Sequence, residues 1–350
     1  MKVAIITDQH FGARNDSAQC LDYYEQFYKN IFFPKLKDDG INHILILGDT
    51  FDRRKFINFN TLARAKQMFF DVAYSNDIFI TMIAGNHDTY YKNTNEVNSP
   101  ELTLAEYINI VIITRPETVD VHGIPICFLP WICAETSTDS MNEIKTTKAD
   151  ICMGHLEISG FAMYRGIESH DGLSKDSFGK FDMVFSGHYH HRSNDGHIYY
   201  LGNPYELTWQ DYNDPRGFHI FDLETRKLEF VQNTYSLFER YEYDDTVNIE
   251  DPIFANFKDK YVKIVVINKT NLYKFDKFIN SVYQHNPLEV KIIEDFSEFT
   301  EGEVDENINL EDTSSVLSNY IDSLETEVDK EKVKTFMKSL YTEAINRDVI

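Results

Sequence analysis

The chain has 350 residues, and its 57 acidic side chains against 34 basic ones leave a formal net charge of −23. That balance argues against a protein that grips nucleic acid by its own charge alone, because phosphate binding ordinarily leaves a basic footprint. No stretch approaches the roughly 18 consecutive apolar residues of a membrane span, and Cys20, Cys127, Cys133 and Cys152 show neither C-x-x-C nor zinc-type spacing. A membrane protein, a disulfide scaffold and a thiolate metal site are therefore set aside, and a soluble, unexported, cytoplasmic protein is expected.

The length allows one large core of roughly 200 to 250 residues plus a smaller unit. In chain order, Val3-Ala4-Ile5-Ile6 reads as a buried strand that stops at Thr7-Asp8-Gln9-His10. Residues 17–37 carry apolar positions at helical spacing. The run His43 to Leu47 is short enough to be one buried strand and ends in Gly48-Asp49-Thr50-Phe51-Asp52, followed by the basic run Arg53-Arg54-Lys55. A second helix is expected over 60–75, where Leu62, Ala65, Phe69 and Val72 share a face. The strand from Ile78 to Ile83 ends in Gly85-Asn86-His87-Asp88, and Tyr90, Tyr91 and Lys92 come next.

After Asp120 the pattern changes to closely spaced strands over 124–132, 151–153, 183–186, 198–201, 217–221 and 228–231. The second of these stops at Gly154-His155 and the third at Gly187-His188-Tyr189-His190. Alternation first and strand clusters later predict two sheets packed face to face with helices outside. A smaller strand–helix–strand unit is expected over 261–267, 272–283 and 289–293. The acid-rich stretch 294–312 reads as a flexible linker, and a final helix capped by Asp329 places Val333, Phe336, Met337, Leu340 and Tyr341 on one apolar face. That face docks either on the chain's own body or on a partner's helix. The division expected is 1–240, 241–295, 296–312 and 313–350.

Each motif is weak alone. An Asp-x-His pair or a Gly-His pair occurs often by chance, and Asp49 could simply cap a helix. Five buried strands that each stop at residues able to bind a metal are much harder to obtain by accident. Asp49, central among them, reads as a carboxylate shared by two ions. The remaining histidines, His43, His122, His170, His197, His219 and His285, read as structural or solvated, and His191 is open to either reading.

The order D-x-H, GD-x-x-D, GNHD, GH, GH-x-H resembles the calcineurin-like metallophosphoesterase family over roughly residues 1–235. The small cap, acidic stretch and terminal helix resemble the nuclease subunits of SbcC–SbcD-type DNA break-repair complexes. The stretches Leu129-Pro130-Trp131-Ile132-Cys133, Gly154-His155-Leu156-Glu157 and Asn213-Asp214-Pro215-Arg216-Gly217-Phe218 are similar to recombination endonuclease subunits of T-even-like phages. The resemblance implies an α+β fold, a four-layer α/β/β/α sandwich with a small α/β cap and a C-terminal helical tail.

It also implies that Asp8, His10 and His190 hold one metal, Asn86, His155 and His188 a second, and that Asp49 bridges them. Neutral imidazoles leave such a pair enough positive charge to acidify a water between them, and both cations neutralise charge building on a phosphoryl group. His87 would assist the departing sugar oxygen, with Asp88 orienting its ring. Asp52 stands where some relatives carry His, so a supporting hydrogen bond to a ligand is expected of it. Oxygen and nitrogen donors favour manganese, with iron or zinc possible.

Arg53, Arg54, Lys55, Tyr90 and Lys92 could track a phosphate backbone and stack a base, or form ordinary solvated loops. The partners implied are DNA, an SMC-like coiled-coil ATPase of the SbcC type, and a second copy of the chain through helices near 60–75 and 100–107. The location is cytoplasmic, the host's for a phage chain. The leading expectation is a two-metal DNA nuclease. The competitors are a phosphatase or phosphodiesterase on a non-DNA ester and a binding scaffold with a vestigial site.

Overall fold

The computed structural model describes residues 1–164, 166–170, 172–246, 251–294, 330, 332–334 and 337. The chain divides into two compact units, Met1–Asp295 and Phe296–Ile350. In the first unit, β1 (Lys2–Ile6), β2 (His43–Ile46), β3 (Phe79–Ile83) and β4 (Ile110–Ile113) lie side by side and parallel. A second sheet begins with β5 (Glu117–Val121), β6 (Ile124–Leu129) and β7 (Ile151–Gly154). After a short antiparallel pair, β8 (Ala162–Tyr164) and β9 (Ile167–Glu168), it is completed by β10 (Met183–Ser186), β11 (Ser193–Asn194) and β12 (Ile198–Tyr200). Its order is β11-β12-β10-β7-β6-β5. The chain then returns to the first sheet, where β13 (Gly217–Asp222) pairs antiparallel with β1, placing His219 opposite Ile5, and β14 (Leu228–Gln232) closes that edge.

The inner strands are short apolar runs because both of their faces are covered. Side chains alternate across a strand, so Val3, Ile5, Leu45 and Ile83 meet Ile126, Phe128, Met153 and Phe185 between the sheets. Their neighbours Ala4, Ile6, Ile44, Ile46 and Met82 point the other way, onto aromatic-rich helices. Those helices run through Ala18–Phe27, Tyr28–Phe32 and Phe33–Asp38, then Phe59–Ala65, Lys66–Phe70 and Asp71–Ser75, the middle segment of each wound as a π-helix. Across the second sheet, Cys127, Leu129, Cys152 and Val184 pack against Ile144 of the helix Ser137–Thr146. These are the four layers expected, and they explain why the cysteines are buried and unpaired. Truncating a shared residue such as Leu45 to alanine would cost about 2–5 kcal/mol. The strand expected over 124–132 ends at Leu129, since Pro130 has no N–H to continue the ladder.

A third sheet is wholly parallel, with β16 (Tyr261–Asn268) between β15 (Phe238–Asp244) and β17 (Glu289–Ile293). The helix Leu272–Gln284 starts where the Asn271 side chain accepts from the Lys274 amide, and it buries Phe275, Phe278 and Val282 against Tyr243, Val262 and Ile264. The first strand, β15, straddles the boundary expected at residue 240. No helix among the described residues is long and apolar enough to cross a membrane. The acidic stretch 296–312 lies outside the described residues, as do Phe336, Leu340 and Tyr341; Val333 and Met337 are helical and half-buried.

Candidate metal centre

The central strands of each sheet run parallel, so their carboxyl ends lie together, the usual position for a ligand site in such sheets. Just beyond β1, β2, β3, β7 and β10 come Asp8 and His10, Asp49, Asn86 and His87, His155, and His188 and His190. The five expected endings therefore meet in one place. Asp8, His10 and His190 each offer an atom within a common 4.8 Å, as do His10, Asp49 and His87, and as do Asp8, Asp49 and His155. Asp8, His10, Asp49 and His155 are buried, whereas His87, His188 and His190 are partly open to solvent.

Asp49 uses its two oxygens differently. Oδ1 accepts from the backbone N–H of His87 at 2.8 Å. Oδ2 faces Nε2 of His155 at 3.2 Å and Nε2 of His10 at 3.7 Å. His155 donates from Nδ1 to the Leu47 carbonyl at 2.8 Å, so when a cation displaces the ring's second proton the lone pair falls on Nε2. That lone pair points at Asp49 and at the Asn86 Oδ1, 2.9 Å away, and His188 Nδ1 lies 3.1 Å from the same amide oxygen. On the other side, His10 Nε2 lies 3.0 Å from His190 Nε2 while its Nδ1 stands 3.3 Å from the Asp52 carboxylate. Acceptors thus converge on acceptors, a donor set suited to a cation.

The electrostatics agree. Burial alone would lower the His10 and His155 pKa values, but the Asp52 and Asp49 carboxylates raise His10 to about 9, and Asp49 raises His155 to about 9. Burial and the neighbouring His155 push His188 down to about 3, and burial with His10 holds His190 well below the ordinary imidazole range. Burial would raise Asp49, yet His155 and His87 keep it well below the usual carboxylate value. The pocket draws positive charge toward Asp49.

Backbone geometry enforces the arrangement. Asp8, His10, Asp49 and His188 have φ of 53°, 44°, 52° and 82°, the left-handed region that L residues seldom occupy. Asp8 is fixed by the His188 amide at 3.0 Å and the Thr7 hydroxyl at 2.6 Å. A side chain at Gly85 would run into the Asp49 carboxylate, and one at Gly187 into the Thr7 hydroxyl and the Leu47 carbonyl, so these turns need glycine for space.

One expectation is corrected. Asp88 does not orient the ring of His87, whose Nδ1 instead lies 2.5 Å from the Asp52 main-chain carbonyl. Buried Asp88 accepts from the amides of Gly85, Thr50 and Phe51 at 2.9, 3.0 and 3.2 Å and from the Ser99 hydroxyl at 3.3 Å, stapling the loops after β2 and β3. Burial and the Asp49 charge raise its pKa to about 6. Among the basic residues, Arg53 is engaged with Asp16 at 3.3 Å, with Asn15 at 2.6 Å and over the Phe56 ring, whereas Lys55, Tyr90, Tyr91 and Lys92 are exposed.

Sequence reasoning missed several supports. Trp131 places its ring 5.3 Å from that of His188. Buried Arg216 bonds the His190 carbonyl and the Asn203 amide oxygen and pairs with Asp211 at 2.9 Å and Asp214 at 2.6 Å. Asp214 also meets His191 Nδ1 at 2.7 Å, which gives His191 a structural place. An arginine set between acids in a loop was the available signal.

A family model described as calcineurin-like phosphoesterase matches residues 1–192. The chain is 32% identical over 348 residues to exonuclease subunit 1 of Enterobacteria phage T4, covering 98% of this chain and 99% of that protein. It is 23% identical over 260 residues to the SbcD subunit of the SbcCD nuclease of Staphylococcus epidermidis, covering 65% of this chain and 67% of that one.

Proposed function

The chain belongs to the calcineurin-like phosphoesterase family, and from that premise we propose that it is a metal-dependent DNA nuclease acting in recombination and double-strand-break processing. The observation that carries the reading is the meeting of five strand ends from two sheets around Asp49, whose Oδ2 faces both His155 and His10. Asp8, His10 and His190 would hold one divalent cation, Asn86, His155 and His188 a second, and Asp49 would contribute to both. Divalent cations there supply Lewis acidity to a phosphoryl group and acidify the attacking water. Manganese suits this all-oxygen-and-nitrogen set better than magnesium.

His87 works on the leaving group. Its Nδ1–H is committed to the Asp52 carbonyl, so in the imidazolium form the Nε2–H is the proton available to a departing sugar oxygen. Asp52 holds the rings of His87 and His10 together, one through its carbonyl and the other through its carboxylate. Lys55, Tyr90, Tyr91 and Lys92 lie exposed in loops following the metal motifs and offer charge and aromatic faces to a single strand.

Both named relatives are subunits. The acidic chain would accordingly work in the host cytoplasm with an SMC-like coiled-coil ATPase that supplies much of the DNA grip and is met by the helix carrying Val333 and Met337. Phe59, 89% exposed, and Leu102, 74% exposed, would meet a second copy. Domain roles follow the same plan, with residues 1–240 cutting and 241–295 capping.

The test is cleavage of single-stranded and broken-ended DNA by purified protein with manganese, alone and with the ATPase. Cleavage that chelation abolishes is expected; no cleavage in either setting overturns the reading. The net charge of −23 favours a second reading, a phosphatase or phosphodiesterase on small esters. Faster turnover of phosphomonoesters or nucleotides than of DNA would establish it.

A further inference from the structure

The two sheets part at one edge, where β11 and β12 face β13 and β14, and a groove of about 290 Å³ opens between them. Arg192, Ser193, Arg226, His219, Tyr199 and Phe230 are among its lining, and no Asp or Glu lines it. In a chain with 57 acidic residues this is unusual. Among the described residues, neither the Arg192 nor the Arg226 side chain has a carboxylate partner. The Arg226 Nη1 and the Ser193 hydroxyl are buried without any hydrogen-bond partner. Buried donors are nearly always satisfied, so two unsatisfied ones on residues that line one groove call for an acceptor, which a small side-chain rotation would let them meet. The Arg192 guanidinium carbon sits over the Phe230 ring at 4.1 Å, a contact that holds the head in place while its N–H groups stay available to a bidentate acceptor.

The groove is joined to the metal centre by chain. Arg192 follows His190 by two residues, and the backbone of 190–192 crosses Gly202 so closely that a Cβ there would stand 2.8 Å from the His190 carbonyl and 3.1 Å from the Arg192 amide. We propose that this groove binds a phosphate of the nucleic-acid strand outside the scissile position, with Arg192, Arg226 and Ser193 as donors. The assignment rests on the nuclease reading and deepens it. Holding a remote phosphate would set how the strand enters the centre, and it gives an acidic protein a local cationic grip of its own.

The test is the double variant Arg192→Gln/Arg226→Gln. With a single strand longer than about 16 nucleotides, KM is expected to rise about tenfold with kcat unchanged, and the salt slope of binding to fall by about 0.7, the value for one phosphate no longer neutralised. Turnover of bis(p-nitrophenyl) phosphate, too small to reach the groove, should not change. Equilibrium binding of the same strand is also measured in an Asp49→Asn background, where cleavage is not the readout. If the wild type cuts DNA and the double variant shifts neither KM, affinity nor salt slope, the groove assignment is overturned and the nuclease reading stands. If the wild type cuts no DNA but the double variant still loses strand affinity, the nuclease reading falls and the groove stands. Lost affinity for thymidine monophosphate with unchanged strand affinity overturns the strand assignment in favour of a free-nucleotide site.

Discussion

The two sides of the metal centre are built by different means. His155, fully buried, has its tautomer set by a main-chain carbonyl, that of Leu47 at the end of β2. His10, on the other side of Asp49, faces a side chain, the Asp52 carboxylate, which is 28% exposed. A main-chain acceptor cannot be mutated away, whereas a carboxylate can, and its charge makes the imidazole a stronger donor. The His155 side is therefore fixed by the fold, and the His10 side is adjustable by sequence. Position 52 can therefore change without rebuilding the strands.

The comparison can be broken most sharply at the atom both sides share. Asp49→Asn should lower turnover by more than about 10³-fold and weaken both metal sites. Calorimetry showing one site at full affinity in that variant would mean the two sides do not depend on one oxygen. His87→Gln should lower kcat by about 10²- to 10³-fold while metal content stays the same, since it removes only a proton donor; metal content falling in step with rate would sink the role given to His87. Asp52→Asn should separate the two sides, with one metal affinity falling about 10- to 100-fold and the other unchanged. Equal weakening of both would erase the distinction.

A last effect is remote from the centre and serves as its reference. Burial and the nearby Arg192 lower the His219 pKa to about 3. A histidine neutral when folded and protonated when unfolded stabilises above its unfolded pKa, and that stability is lost as the pH falls from about 6.5 toward 3. Denaturation of chelator-treated protein across this range should show the slope, and His219→Phe should flatten it. An unchanged slope would mean that the acid sensitivity belongs to the metal-site residues.

The strand ends were readable in sequence because each is a short apolar run halted by polar residues, a pattern that needs no knowledge of neighbours. The helices over 17–37 and 60–75 and the β16–helix–β17 unit were readable for the same local reason. What was hidden depends on distant pairing. Nothing near Gly217 says that β13 returns to lie beside β1, yet that return opens the groove at Arg192 and Arg226. The parallel addition of β15 to the cap was equally invisible, because Phe238 to Asp244 mixes apolar and charged residues. Asp88 was misread for a related reason. The resemblance implies that it orients the His87 ring, but its carboxylate is taken by three amides from the turns it holds. Adjacency along a chain is a poor guide to contact inside a tight loop.

The left-handed backbone at Asp8, His10, Asp49 and His188 has an evolutionary corollary. Each of these positions imposes two independent filters, since the residue must offer a donor atom and must also tolerate a conformation that disfavours β-branched side chains. Glycine passes the second filter and fails the first. A descendant freed from cutting would drift toward glycine there and gain thermal resistance as buried charge and torsional strain were relieved together. A relative with glycines at these four places and a higher melting temperature would be the fossil of such a loss.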